Sequence, residues 1–309
     1  MSNAVFSVTV LGTASAMPLH GRHHSAQWVC YGSHYFLIDC GEATQYQILR
    51  YKLPWHRLKG IFISHLHADH AGGLAGLLTS LHLQGHVKPI HVYGPLGVKA
   101  YLEAALMGTY QMLRYPLHVM EVWPGEESVC LWAASDFQVW AFSLRHGVPT
   151  LGFRFVELLS TPRLDAAKAQ SLGLTSTDIA CLREKGTIEW QGNRLTWNDL
   201  ALPPPTPRSY AYCSDTIYDE RLLTFVRQVS MLYHEATFLS AQRERARQTF
   251  HATAEEAAHL AKAAEVQKLL IGHFSARYKD PLPLLQEARA IFPNTLIAEE
   301  GKTYIVAHV

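Results

Sequence analysis

Residues 65–70 read His65-Leu66-His67-Ala68-Asp69-His70, four potential metal ligands within six positions. The apolar run before them, Gly60-Ile61-Phe62-Ile63-Ser64, reads as a buried strand. The stretch after them, Ala71-Gly72-Gly73-Leu74-Ala75-Gly76-Leu77-Leu78, reads as the start of a helix. A strand end holds a short loop rigidly and the glycines allow a tight turn, so three imidazoles and a carboxylate can converge. In an extended turn His65 and His67 point the same way, while Asp69 and His70 are carried round to a second site beside the first. Neutral imidazole with carboxylate is a borderline N/O donor set, suited to zinc or to manganese and iron. Four such groups beside an apolar strand would otherwise be costly to bury.

This His-x-His-x-Asp-His run resembles the signature of the metallo-β-lactamase superfamily. The resemblance implies an α/β fold, an αββα sandwich with a metal site at one edge. It also implies three further ligands, and the chain has a candidate for each. His146 follows the strand-like run Phe137-Gln138-Val139-Trp140-Ala141-Phe142-Ser143-Leu144. Asp215 lies in Tyr210-Ala211-Tyr212-Cys213-Ser214-Asp215-Thr216, and His273 follows Lys268-Leu269-Leu270-Ile271-Gly272. All three share one context, the C-terminal end of an apolar strand, which is what a single sheet edge needs to assemble one site. The implied arrangement is two zinc ions per chain, with manganese or iron as alternatives. His65, His67 and His146 would hold one ion, Asp69, His70 and His273 the other, and Asp215 would bridge them.

The 309 residues, 48% hydrophobic and 17% charged, suffice for a substantial core. No apolar run approaches a membrane span, and residues 5–11 read as a short strand rather than a secretion signal. Five cysteines at irregular spacing read as buried or free thiols of a reducing cytoplasm, without a disulfide framework. A net charge of +1 neither demands nor excludes a nucleic-acid partner, so any polyanion site must come from local patches. Strand and helix patterns alternate along a single domain spanning 1–309. They are interrupted at 158–207 by a polar, turn-rich stretch that ends in Pro203-Pro204-Pro205-Thr206-Pro207. It reads as an inserted arm, with a short helix around 164–172 and a hairpin across 186–195.

Further motifs narrow the resemblance. Leu11-Gly12-Thr13, Phe36-Leu37-Ile38-Asp39-Cys40-Gly41-Glu42-Ala43-Thr44-Gln45 and His234-Glu235-Ala236-Thr237-Phe238 resemble the ribonuclease Z family of tRNA 3′-processing endonucleases. So do His251-Ala252-Thr253, where the family usually has His-Ser-Thr, and His273-Phe274-Ser275-Ala276-Arg277-Tyr278. These cover most of the chain in the family's order and leave only the arm poorly matched. The family's Pro-x-Lys-x-Arg-Asn loop falls on Pro18-Leu19-His20-Gly21-Arg22-His23, where His20 and His23 replace lysine and asparagine. That replacement suggests pH-sensitive phosphate contacts through His20, His23 and His24. The arm lacks the family's Gly-Pro element, and Lys168, Arg183 and Lys185 are its candidate tRNA contacts.

The chemistry can be argued from the residues as well. Two zinc ions ~3.5–4 Å apart activate water at neutral pH and polarise a phosphoryl oxygen. Asp69 belongs to that catalytic centre. The leaving oxygen needs a proton, and His251 is the candidate donor, with Glu235 orienting it. Ser275 and Arg277, just past His273, are candidates for holding the scissile phosphate, and the resemblance implies that Arg22 binds substrate at the tRNA end. His234 either orients the bridging region or satisfies a buried hydrogen bond. The resemblance implies a homodimer acting on precursor tRNA, one subunit's arm helping to hold the tRNA cut by the other. The rival reading is a hydrolase of small esters, such as a cyclic-nucleotide phosphodiesterase or an arylsulfatase-like enzyme.

Overall fold

The computed structural model describes residues 4–17, 21–110, 112–158, 163–202 and 206–308. Among these, two seven-stranded sheets stack face to face. The first runs Thr303–Ile305, Phe6–Gly12, Ala26–Tyr31, His34–Ile38, Leu58–Phe62, Ile90–Gly94, Leu117–Glu121. The second runs Thr295–Ile297, Leu269–Gly272, Met231–Glu235, Ser209–Cys213, Thr150–Glu157, Phe137–Leu144, Val129–Ala133. Alternation along each strand sets the layers. Phe137, Val139 and Ala141 face inward to meet Phe6, Phe36 and Phe62 of the other sheet, with Phe36 and Phe137 stacked. Outer faces are sealed by helices, Leu74–Leu83 and Val98–Gly108 on one side and Ala254–Ala263 and Leu282–Ile291 on the other. This is the expected αββα sandwich.

Strand direction places the candidate site. Phe137–Leu144 and Ser209–Cys213 are each antiparallel to Thr150–Glu157, and Ser209–Cys213, Met231–Glu235 and Leu269–Gly272 are mutually parallel. Four strands of the second sheet therefore end at the same edge, delivering His146, Asp215, Glu235 and His273 there. Leu58–Phe62 of the first sheet ends against them, and Leu151 N–H donates to the Ser64 carbonyl across the join at 2.8 Å. The loop Cys40-Gly41 packs so tightly on the ligand segment that a Cβ on Gly41 would lie 2.5 Å from the Asp69 carbonyl oxygen. One on Gly73 would lie 2.2 Å from the Gly41 carbonyl oxygen, so both positions exclude any side chain.

The arm folds around its own small cluster of Ala169, Leu182 and Leu200, flanked by Leu164, Ile179, Ile188 and Trp197. Its helix Ala166–Ser171 and the hairpin Thr187–Trp190 with Asn193–Thr196 match the sequence reading. A second helix, Ser176–Lys185, was not anticipated. Its signals are local: Thr175 and Asp178 form a reciprocal capping box and Gly186 ends it in the left-handed region. The arm's entry and exit are clamped by a buried ion pair, Glu157 with Arg208, whose guanidinium donates to both carboxylate oxygens at 2.7 and 2.9 Å.

Candidate metal centre

The four ligand-type residues of the opening motif divide between two groups. His67 stands exposed at the N-terminus of the turn Ala68–Ala71, which carries Asp69 and His70 inward, while His65 remains buried at the strand end. Two donor groups result, His65, His67, His146 and Asp215 in one and Asp69, His70, Asp215 and His273 in the other. Asp215 is common to both.

The donors of each group fit a metal ion. A tetrahedral ion with bonds of about 2.0–2.1 Å spaces its donors roughly 3.3 Å apart. His67 Nδ1 lies 3.0 Å from His65 Nε2 and 3.4 Å from His146 Nε2. In the second group His70 Nε2 and His273 Nε2 are 3.2 Å apart, each 3.3–3.4 Å from Asp69 Oδ2. Asp215 Oδ1 lies 3.3 and 3.2 Å from these two nitrogens, yet it is buried and, among the described residues, has no hydrogen-bond partner of good geometry. An acceptor that close to two imidazoles without bonding either is aimed at a point between them.

Electrostatics reinforce the fit. Burial disfavours a charged His70, but Asp215, Asp39 and Asp69 around it hold its pKa well above the usual histidine range. Burial likewise opposes ionisation of Asp215, which His273 and His70 nevertheless hold well below the ordinary carboxylate range. His65, buried with His70 beside it, is pushed well below the usual value and is neutral, as a ligand must be. The carboxylates thus demand positive charge where the donor nitrogens converge.

A supporting layer fixes these rings, and much of it was missed in the sequence. Asp39 accepts from His70 Nδ1 at 2.8 Å, leaving Nε2 to face the centre. The same carboxylate accepts Ser64 N–H, Ser64 Oγ–H and Tyr212 O–H at 2.7, 2.9 and 2.7 Å. Its backbone sits in the left-handed region (φ 55°), as does that of His273 (φ 60°), two strained positions at one site. Thr237 Oγ1 lies 2.9 Å from His273 Nδ1 and donates to Glu235 at 2.5 Å. The Phe250 carbonyl accepts from His146 Nδ1 at 2.9 Å, turning Nε2 inward. Asp39 was visible only as a letter in the matched motif, though it too closes an apolar strand.

A hollow of about 820 Å³ opens over the centre, lined by His67, Asp69, His146, Asp215, His251 and His273, with Ser275, Arg277 and Arg245 on its wall. His251 Nδ1 bonds Glu235 Oε1 at 2.8 Å, so the pair named from sequence is in contact. Burial opposes a charged His251, but Glu235 and then Asp215 raise its pKa to about 9. Ser275 and Arg277 line the same pocket.

The first loop behaves differently. Arg22 donates to the carbonyls of Tyr278 and Lys279 at 3.0 and 2.8 Å, holding the Ser275–Tyr278 segment from behind and not lining the pocket. His23 Nδ1 is 2.7 Å from Glu300, a carboxylate that also accepts His23 N–H, so a phosphate contact through His23 is not what this geometry offers. His24 does line the pocket. Pro18 and His20 lie outside the described residues. Tyr278 accepts Leu239 N–H, a packing role, and His234 is buried with Nδ1 on the Glu235 carbonyl, away from the pocket.

A two-sheet sandwich with this donor set at its edge defines a metal-dependent hydrolase of the metallo-β-lactamase fold. A family described as Anti-Pycsar protein Apyc1 matches residues 6–123. Ribonuclease Z of Cytophaga hutchinsonii is 40% identical over 304 residues, 98% of this chain and 96% of that protein. Ribonuclease Z of Porphyromonas gingivalis is 37% identical over 298 residues, 96% and 98% respectively. The crystal structure of the short form of human tRNase Z superposes with a TM-score of 0.72 at 25% identity, covering 97% of this chain and 99% of that one. The metallo-β-lactamase-fold protein YhfI of Bacillus subtilis, 18% identical, shares the fold with a TM-score of 0.70, covering 97% and 99%. The chain belongs to the ribonuclease Z family of metal-dependent endoribonucleases.

Proposed function

We propose that this protein cleaves precursor tRNA on the 3′ side of the acceptor stem, removing the 3′ trailer and leaving a 3′-hydroxyl on the tRNA. The observation that carries the reading is the pair of donor groups sharing Asp215 beneath one open pocket, with His251–Glu235 on its wall. His65, His67 and His146 would hold one divalent ion and Asp69, His70 and His273 the other, with Asp215 between them and zinc favoured by the donor chemistry. Bound there, the ions would supply Lewis acidity, lowering the pKa of water and drawing charge from the phosphoryl oxygens. The protein's own part is positioning and proton transfer. Asp39, Thr237 and the Phe250 carbonyl keep three imidazoles in register. Arg277 neutralises the phosphate from the wall, Ser275 donates it a hydrogen bond, and Arg22 steadies the segment that carries them. His251, kept protonated by Glu235, delivers its proton to the leaving oxygen.

The same reading takes the protein to be a cytoplasmic homodimer, in one domain with an arm at 158–207 lying along the tRNA body. Five free thiols support that location. The arm's charge argues for a modest contribution. Residues 158–207 carry Arg163, Lys168, Arg183, Lys185 and Arg194 against Asp165, Asp178, Glu184, Glu189 and Asp199. Arg183 also stacks over Trp197. This balance favours the rival small-ester hydrolase over the leading reading at one point only.

Incubating the purified enzyme with a precursor tRNA and mapping both new ends decides between them. A 3′-hydroxyl at the end of the acceptor stem is expected. Intact RNA alongside rapid hydrolysis of a cyclic nucleotide would replace the proposal with its rival.

A further inference from the structure

A second hollow, of about 370 Å³, adjoins the pocket and shares His146 with it. Its walls include Trp123, Arg145, Val148 and Phe250. Trp123 is 61% exposed and Phe250 45% exposed, which is unusual for two large aromatics walling one depression beside a polar centre. Phe250 also sits at φ 57°, a left-handed conformation that a bulky residue adopts reluctantly. Its main-chain carbonyl explains the backbone position, since that carbonyl fixes His146. The carbonyl would be there with any side chain, however, so it does not explain the ring. Burial does not explain the ring either, because the ring remains half in water, nearly perpendicular to the His146 ring with the ring centres 6.5 Å apart. Arg145 is exposed and lines the same hollow, and its charge also acts on the nearby Asp219 carboxylate.

Exposed aromatic faces with a nearby arginine are the physical requirements for stacking a single-stranded nucleobase. We propose that this hollow binds the base of the nucleotide on the 5′ side of the cleaved bond, against Trp123 and Phe250, with Arg145 toward its sugar-phosphate. The inference rests on the endoribonuclease reading above. The side follows from the chemistry. Leaving a 3′-hydroxyl means that a water oxygen bonds to phosphorus while the P–O3′ bond breaks. The phosphate stays on the trailer, and O3′ takes the proton from His251. The donor must therefore stand beside the departing 5′ nucleoside. His251 directly follows Phe250, and its ring lies 5.3 Å from that of His146, where the two hollows meet.

The test measures kcat and KM on a precursor tRNA for Trp123→Ala, Trp123→Phe and Phe250→Ala, with zinc content measured in each. Loss of one stacking partner should raise KM about 5- to 150-fold. The effect on kcat should be smaller than that on KM, zinc should be retained, and Trp123→Phe should recover most of the loss. An abasic site at the nucleotide 5′ of the cut should impose a similar loss on the wild type and erase the difference between wild type and variants. Wild-type KM in both alanine variants, or a response only to an abasic site 3′ of the cut, overturns the assignment while the endoribonuclease reading stands. Failure of the wild type to cut the intact precursor overturns that reading and this inference with it.

Discussion

Arg208→Ala should be among the most damaging substitutions in the chain outside the metal centre. Glu157 is the last residue before the arm and Arg208 the first after it, and their side chains are 0% and 7% exposed. Arg208 makes two guanidinium bonds to the carboxylate, a third to the Ala4 carbonyl at 2.9 Å, and lies 5.9 Å from the Phe6 and Tyr31 rings. Removing it leaves Glu157 ionised in the core with, among the described residues, the Tyr31 hydroxyl at 3.2 Å, the main-chain N–H of residue 208 at 3.3 Å and His308 Nε2 at 3.8 Å beside it, none of which replaces the guanidinium fork. Breaking one side of a buried pair costs about 3–5 kcal/mol. With a urea m-value of about 3 kcal/mol/M, the unfolding midpoint should fall by about 1–1.7 M. Replacing both residues, as Glu157→Leu with Arg208→Met, should recover most of the loss because no charge is then stranded. Burial opposes ionisation of Glu157, but Arg208 holds its pKa below the ordinary carboxylate range. The pair's contribution is therefore full above the unfolded carboxylate pKa and is lost as pH falls through the lower folded value. Urea titration by circular dichroism, with limited proteolysis at the arm's base, is the assay. A midpoint shift under about 0.3 M for Arg208→Ala, or a double variant as unstable as the single, would refute this reasoning.

Asp215→Ala should lose activity and most of the second ion, since one carboxylate facing two cations offsets their repulsion; elemental analysis showing two retained ions in an active variant contradicts the bridge. His251→Ala should slow cleavage ~10²–10⁴-fold at saturating metal, with tRNA affinity retained. Because the donor must be protonated, kcat should fall as pH rises through about 9, or lower once bound cations repel the imidazolium. Glu235→Gln should move that fall to lower pH, and an unshifted profile counts against the pair. Neutralising Lys168, Arg183 and Lys185 should weaken precursor tRNA binding and flatten its salt dependence while sparing a small activated phosphodiester; equal losses on both substrates would make the arm a support for the fold or dimer.

Much of the site was legible because its parts are local. A ligand cluster after an apolar strand, and further histidines and aspartates at other strand ends, follow from short-range periodicity, and strand ends are where rigid scaffolds present functional groups. Both arm helices had readable caps, although only one was anticipated. What linear order could not decide is which distant groups meet. Asp39 reaches Tyr212 across 173 positions, and His146 reaches the Phe250 carbonyl across 104. Those pairings depend on sheet register and stacking, which no spacing in the sequence encodes. Arg22 makes the same point in reverse. Its chemistry suits a phosphate, but the tertiary fold brings two backbone carbonyls within its reach, and a guanidinium bonds the acceptors the fold supplies. Residue type set what each side chain could do, and the packing of one sheet on the other chose its partner.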